Sequence, residues 1–375
     1  MPGPLSDLLV VDLSRVLAGP FAAMMLADLG ARVVKVERPT TGDDSREYGP
    51  FLDGRSMYFA RVNRGKESIA LDLKDPADRA VLIRIATRAD VLIENFRPGV
   101  TARLGLDWET LREHNPRLVY ASISGFGQTG PWRARPAYDA VVQGAAGIMS
   151  ITGRPEDEPT KPGVPLADLS AGLYAFGAVC AALHGRTLTG VGTHVDIGMF
   201  DATVSLLEGA ALSYLTTGVT PPRIGNAHFS IAPFDTFACA DRRIVICAAN
   251  DGLFRKLCTA VGRPDLAAVP AYATNDARLG ARDAFKADLE TTLLTRPAAQ
   301  WLSVLQDAGV PCGPINTVAE AVSSEQTQSR HMVIEAGGLP LPGNPMKMSE
   351  YPDVEHRPAA PEIDAQGDAI RAEFA

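Results

Sequence analysis

The feature that most constrains this chain is its opening alternation. "LLVVDLS" (8–14) is rich in β-branched and apolar residues. "PFAAMMLADLG" (20–30) has helical spacing and closes on a glycine, and "ARVVKVE" (31–37) is β-rich again. The pattern returns in "ESIALDLK", "DPADRAVLIRIATRA", "DVLIENF", "VTARLGLDWETLREHN" and "LVYASISGFG". Strands that alternate with helices in this way read as βαβ units, and hence as a parallel sheet covered by helices on both faces. Ligands in such sheets bind beyond the carboxyl ends of the strands. The loops after Leu13, Val36, Phe96 and Ile123 are therefore where a site is expected: "SRVLAGP", "ERPTTGDDSR", "RPGV" and "SGFGQTGPW".

The first βαβ unit ends on Glu37, as a dinucleotide fold would require. Its turn argues otherwise, because "SRVLAGP" offers one glycine where that fingerprint needs three. Pro20 is read at the first helical position, where free N–H groups can meet an anion. A net charge of -8 argues against a nucleic-acid partner, since phosphate neutralisation needs a basic surface. Small molecules are the expected partners. The five cysteines, Cys180, Cys239, Cys247, Cys258 and Cys312, form no CxxC pair and read as reduced thiols in a cytoplasmic protein. The apolar run from Gly172 to Leu183 is shorter than a bilayer span of roughly 20 residues and is read as a buried helix, with no membrane partner.

The fold class expected is α/β: a Rossmann-like large domain with a parallel sheet, plus a smaller α/β domain. The Gly/Pro-rich stretch "TTGVTPPRIGNAHFSIAPF" punctuates the chain. It places a large domain at 1–205, a linker at 206–230, a small domain at 231–325 and a returning C-terminal segment at 326–375. "TFACADRRIVICAAN" reads as a hairpin within the small domain.

One carboxylate stands apart. "VPLADLSAG" (164–172) sets Asp168 before a run of small residues and the apolar "LYAFGAVCAAL". On these residues alone Asp168 is either a helix N-cap or a functional acid.

Taken in order, "DLSRVLAGPFAAMMLADLGARVVKVERP", "GDDSR", "NRGKESIALDLKDP", "VLIENFRPG", "AYDAVVQGAAGIMSITG", "PLADLSAGLYA" and "GVGTHVDIGMFDA" resemble the family III (CaiB/BaiF) CoA-transferases. The likeness implies that Asp168 is a nucleophile. The acid would take an acyl group from an acyl-CoA as a mixed anhydride and then carry CoA itself as an aspartyl thioester. Only a carboxylate can return the group to another carboxylate. Ala167, Ser170, Ala171 and Gly172 would leave room for a thioester, and the N–H groups of the following helix would stabilise the oxyanion.

The resemblance further implies a CoA-binding wall. Arg38 suits the adenosine phosphate, Leu73 and Lys74 lie along the nucleotide, and Asn95, Phe96, Arg97 and Arg103 complete the wall. Arg135 and Tyr138 would line the pantetheine end, with Leu17 and Ala18 near the reacting centre. CoA enters as substrate, with no permanently bound cofactor and no metal. Arg15, Arg46, Tyr58 and His228 are candidates for the acceptor acid, and His228 is equally read as a structural loop residue. An interlocked homodimer is implied by the resemblance alone.

Formyl-CoA:oxalate enzymes carry Gln where Leu17 stands, and a glycine tetrad where this chain reads "RIGNAHFSIAPF". These departures argue against oxalate and formyl-CoA as the substrates, and this loop, together with "SRVLAGPF" and "GDDSR", resembles the succinyl-CoA:glutarate branch, whose members handle dicarboxylates. Two alternatives stay open: an α-methylacyl-CoA racemase, which would need a base such as His where Tyr138 stands, and a non-catalytic CoA-binding relative.

Overall fold

The computed structural model describes residues 3–352 and 354–375. The chain divides into two compact units, Met1–Ile148 with Lys161–Gly218 and Val322–Ala375, and Met149–Thr160 with Val219–Ala321.

In the larger unit, β1 (Leu9–Asp12), β2 (Arg32–Glu37), β3 (Glu67–Ala70), β4 (Val91–Glu94), β5 (Val119–Ser124) and β6 (His194–Gly198) form one sheet. Every pairing is parallel and the spatial order is β3-β2-β1-β4-β5-β6. The chain runs outward from β1 through β3, then crosses back to β4 and runs out the other way. This reversal opens a crevice at the carboxyl ends of β1 and β4.

Side chains alternate across the sheet. Val10, Val33, Ile93 and Ala121 face a core made with α1 (Ala18–Asp28), α7 (Leu166–Thr189) and α8 (Met199–Ser205). Val11, Val34, Leu92 and Tyr120 face another, closed by α3 (Pro76–Arg88), α5 (Trp108–His114) and the C-terminal helix Gly367–Glu373. The other helices of this unit used below are α2 (Met57–Asn63), α4 (Val100–Leu104), α6 (Asp139–Ala145) and α9 (Glu208–Thr217). The returning segment is tied to the sheet edge, where Gln366 Oε1 accepts the Ser68 N–H at 2.8 Å and Arg32 pairs with Glu373 at 2.8 Å.

The smaller unit has an antiparallel sheet of β7 (Phe234–Ala238), β8 (Arg243–Cys247) and β9 (Cys312–Pro314), with β8 central. Phe237, Ile246, Phe254, Phe285 and Trp301 fill its core.

Four local readings change. "VTARLGLDWETLREHN" is two helices, because Gly105 takes φ 66° after Leu104 and Asp107 caps a new start at Thr110 N. Pro20 is the third residue of α1 rather than the first. The expected linker at 206–230 contains α9, and residues 149–160 fold with the smaller unit.

The apolar run, finally, is part of a 24-residue helix, long and apolar enough to cross a membrane by length and composition. In this fold one face of it, including Ala167, Ala171, Ala175 and Val179, is buried in the core. The opposite face, with Leu173, Tyr174 and Leu188, is exposed. The reading as a buried helix therefore holds for one face only, since a helix on an outer layer has a single sheet to pack on.

Gly172 fixes how α7 crosses α1. A Cβ there would lie 2.8 Å from the Ala18 carbonyl and 2.9 Å from Phe21 Cδ1. The absent side chain makes room for α1 rather than for a thioester. Gly172→Val is expected to lower stability by about 1–3 kcal/mol through overpacking, measured by urea denaturation, and to displace Asp168 one turn away.

Candidate active site

The β1–α1 loop, Ser14–Leu17, is held from below by buried ions. Asp12 Oδ2 accepts from Lys66 Nζ at 2.8 Å, and Lys35 Nζ lies 2.9 Å from Asp43 Oδ2. Both ammonium groups also donate to backbone carbonyls that flank the loop, Lys35 to Ser14 and Lys66 to Pro20. Asp43 takes the Val16 N–H at 3.1 Å. Val16 has φ 69°, a left-handed conformation that a β-branched residue rarely adopts. From β4, Asn95 clamps the same loop: its Oδ1 accepts the Arg15 N–H at 2.8 Å and its Nδ2 donates to the Arg15 carbonyl at 2.7 Å.

Two clefts open at the sheet crevice. The larger, of about 600 Å³, is lined by Arg38, Leu73, Lys74, Phe96, Arg97 and Arg103 among others. The smaller, of about 230 Å³, is lined by Leu17, Ala18, Asn95, Arg135, Tyr138 and Asp168 among others. Arg15, Phe96 and Arg97 line both, so the clefts share a wall. Every residue assigned to the CoA wall from sequence falls on one of these two surfaces. Asn95 is there through its clamp on the Arg15 backbone.

The acceptor candidates separate. Arg15 lines the clefts but spends Nη1 on Asp44 at 3.0 Å. Arg46 does not join them: its Nε and Nη2 pair with buried Glu37 at 2.8 Å each, and Nη2 also donates to the Pro361 carbonyl. That guanidinium is consumed in joining β2 to the returning segment. His228 belongs to the smaller unit, where Nδ1 accepts the Ser230 N–H at 3.1 Å and the ring stacks on Phe229 at 4.7 Å.

Asp168 sits in the first turn of α7, half-buried. Its carboxylate accepts no hydrogen bond from the described residues, whereas its backbone N–H, at 3.3 Å, and that of Ala167, at 2.9 Å, donate to Asp139 Oδ1. Those N–H groups are thus already engaged and cannot serve an oxyanion as expected. Asp168 is not its helix's cap either; Asp139 from α6 takes that place. The unengaged backbone donors are at the start of α1, where Leu17 and Ala18 line the cleft and no side chain caps the helix.

Burial pushes the Asp168 carboxyl up to about 7, helped by the charge of Asp139 and opposed by Arg61. Tyr58 faces the same group: burial raises its phenol, Arg61 lowers it and Asp168 raises it. Asp139 and Arg61 were not singled out in the sequence. Arg61 had one signal, its place three residues after Tyr58 on a single helix.

With this geometry in view, the relatives can be named. The family model described as CoA-transferase family III matches residues 5–367. The acetyl-CoA:oxalate CoA-transferase of Acetobacter aceti is 51% identical, covering 100% of this chain and 96% of that protein. The succinate–glutarate CoA-transferase of Agrobacterium fabrum is 41% identical over 95% of this chain and 92% of that one. A crystal structure of a CaiB/BaiF family protein from Brucella suis superposes with a TM-score of 0.89 at 42% identity, covering 100% of both chains. The chain belongs to CoA-transferase family III and is a CoA-transferase.

The raised acid has consequences for both stability and rate. The folded chain keeps its Asp168 proton to a higher pH than the unfolded chain, so the associated stability is present at acidic pH and lost as pH rises through about 7. The loss amounts to up to about 4 kcal/mol. Asp168→Asn is expected to raise Tm relative to wild type at pH 8 and far less at pH 4, read by thermal denaturation. Were Asp168 to act as an ionised nucleophile, kcat/KM would fall on the acid side of about pH 7. Asp139→Asn keeps the capping oxygen but removes the charge, and should move that limb to lower pH.

Proposed function

We propose that this enzyme moves CoA from an acyl-CoA to a small dicarboxylic acid, with Asp168 as the covalent carrier. The observation that carries the reading is the position of Asp168: a carboxylate without hydrogen-bond partners, in a cleft that shares a wall with a second, cation-lined cleft. Lys74, Arg97 and Arg103 supply charges that CoA phosphates need, with Arg38 beside them in an ion pair with Asp44. Pantetheine would follow Arg97, Phe96 and Arg15 into the smaller cleft and bring the thioester to Asp168.

An Asp168 oxygen attacks the thioester carbonyl; the C–S bond breaks and thiolate leaves with the electron pair. The developing oxyanion meets the N–H groups of Leu17 and Ala18. Thiolate then attacks the aspartyl carbonyl and releases the donor acid, leaving an aspartyl-CoA thioester. The acceptor carboxylate expels the thiolate from that carbonyl, and thiolate attacks the new anhydride at the acceptor carbon, which frees Asp168 and the product. No proton is gained or lost over the cycle.

The 51% identity to an enzyme named for acetyl-CoA and oxalate supports acetyl-CoA and oxalate ahead of succinyl-CoA and glutarate. The test is incubation with either acyl-CoA and a panel of mono- and dicarboxylates, with thioester products read by mass. Oxalyl-CoA is the expected principal product, and Asp168→Asn should lower turnover by at least 1000-fold, about 4 kcal/mol in barrier height. Hydroxylamine should trap wild-type enzyme during turnover and leave the variant unmodified.

A second copy of the chain fits the outer face of α7 and α9, where Leu173, Tyr174, Leu188, Leu212, Tyr214 and Leu215 are exposed. Light scattering should give twice the 39.8 kDa chain mass, and Leu212→Glu with Leu215→Glu should reduce it to one.

A further inference from the structure

A dicarboxylic acceptor brings a second charge into the cleft of Asp168, and a cation has to meet it there. Four arginines line that cleft, Arg15, Arg97, Arg133 and Arg135. The last three are exposed, whereas Arg15 is half-buried. We propose that Arg15 holds the remote carboxylate of the acceptor, and that the carboxylate of Asp44 keeps that place until the acceptor displaces it. This inference rests on the CoA-transfer reading above and deepens it, by naming what would select diacids over monoacids.

Arg15 is set in a rigid place. Asn95 binds both its N–H and its carbonyl, at 2.8 and 2.7 Å, so the backbone is held whatever the side chain does. The guanidinium carbon lies 5.6 Å from the centre of the Phe96 ring, within reach of a cation–π contact. A guanidinium carries five N–H bonds. Here Nη1 alone has an acceptor among the described residues, Asp44 Oδ2 at 3.0 Å, and Nε is buried without one. Arg61, Arg186 and Arg357 share the buried, unpartnered Nε, but none of them lines either cleft.

The pair with Asp44 is of a kind that a ligand can exchange. Its two side chains are 37% and 35% exposed, and an ion pair so open to water contributes little. Arg46 is the contrast: its partner Glu37 has no exposed side chain, so opening that pair would strand a charge away from water. Asp44 would not be stranded on leaving Arg15, because its other oxygen already pairs with Arg38 Nη2. Asp44 also lines the smaller cleft and not the larger, so Arg15 meets a carboxylate on the Asp168 side of the shared wall. The chain's own acid thus shows what this cation accepts. CoA does not supply the replacement. Its phosphates have Lys74, Arg97 and Arg103 in the larger cleft, and the pantetheine arm that would enter the smaller one carries no charge.

The test uses the diacid acceptor found in the panel above, oxalate being expected, and propionate, read as an acceptor or as a competitive inhibitor, with the donor acyl-CoA saturating. Arg15→Met is expected to raise KM for the diacid roughly 10- to 100-fold, the range for a lost charge-assisted pair, and to move the constant for propionate by less than about twofold. Arg15→Lys should recover part of the loss, since charge remains and the fork does not. Asp44→Asn keeps the shape and removes the charge. It is expected to act in the opposite sense, lowering KM for the diacid about 2- to 5-fold, and to lose that effect when Met stands at 15. Circular dichroism and Tm establish that the variants fold. A diacid-to-monoacid ratio unchanged in folded Arg15→Met overturns the assignment while the transferase reading stands. So does a rise in KM for the acyl-CoA alone, which would give the cation to a CoA phosphate, and so does a wild type that transfers CoA to monoacids only. An Asp44→Asn variant that leaves KM for the diacid unchanged or raised, or lowers it equally with Met at 15, overturns the exchange and the proposal with it. If wild type forms no new thioester with any acid, the CoA-transfer reading fails and this inference falls with it.

Discussion

Everything at the site hangs on four charges buried beneath the crevice, Asp12, Lys35, Asp43 and Lys66, each with no side-chain exposure except through its partners. Ions removed from water are tolerable only when they are paired and their remaining donors are met. Here the donors left over are met by the chain itself, at the carbonyls of Ser14 and Pro20. The ion cluster and the loop it supports are therefore one object. Burial works against ionisation of Asp12, but Lys66 and Lys35 outweigh it and hold that carboxyl below its ordinary range. The strain at Val16 is sustained by this frame, and the result is a helix start without a side-chain cap bond, where Leu17 and Ala18 line a cleft.

Against this rigid floor Asp168 is held under opposite conditions. Asp12 is saturated with partners, whereas Asp168 has a like charge nearby and no donor to its carboxylate. Two acids of one chain are thus driven in opposite directions by their surroundings, one toward permanent ionisation and the other toward a pKa near neutrality. A carboxylate that is poorly compensated is reactive, and perturbed acids of this kind gather at functional sites. Asp139 accomplishes two things at once: its oxygen ends α7 and its charge presses on the acid that follows.

Much of this was legible in the residues. The βαβ alternation gave a parallel sheet, and the four loops at strand ends did converge on the crevice. Asn95, Phe96 and Arg97 of "ENFRPG", Leu73 and Lys74 of "LDLK" and Arg103 of "TARLG" line the clefts because each stretch follows directly from a strand end or opens the next helix, so sequence position nearly decides place. Arg46 shows the limit. Its guanidinium had two possible fates, a ligand or a neighbouring acid, and in the fold Glu37, nine residues earlier, takes it. The pairing of Asp139 with α7 spans 28 residues and a change of helix, and no local pattern encodes it.

The sequence by itself determined the order of strands and helices, the acid at 168 and the basic residues around the crevice, because periodicity and turn chemistry act over a few residues. Tertiary structure decided which of those charges are free. Among the described residues Arg46 forms an ion pair and Arg61 does not, although both are arginines in the same stretch of chain, because ion pairing depends on which side chains meet across folded elements and on how much water remains between them.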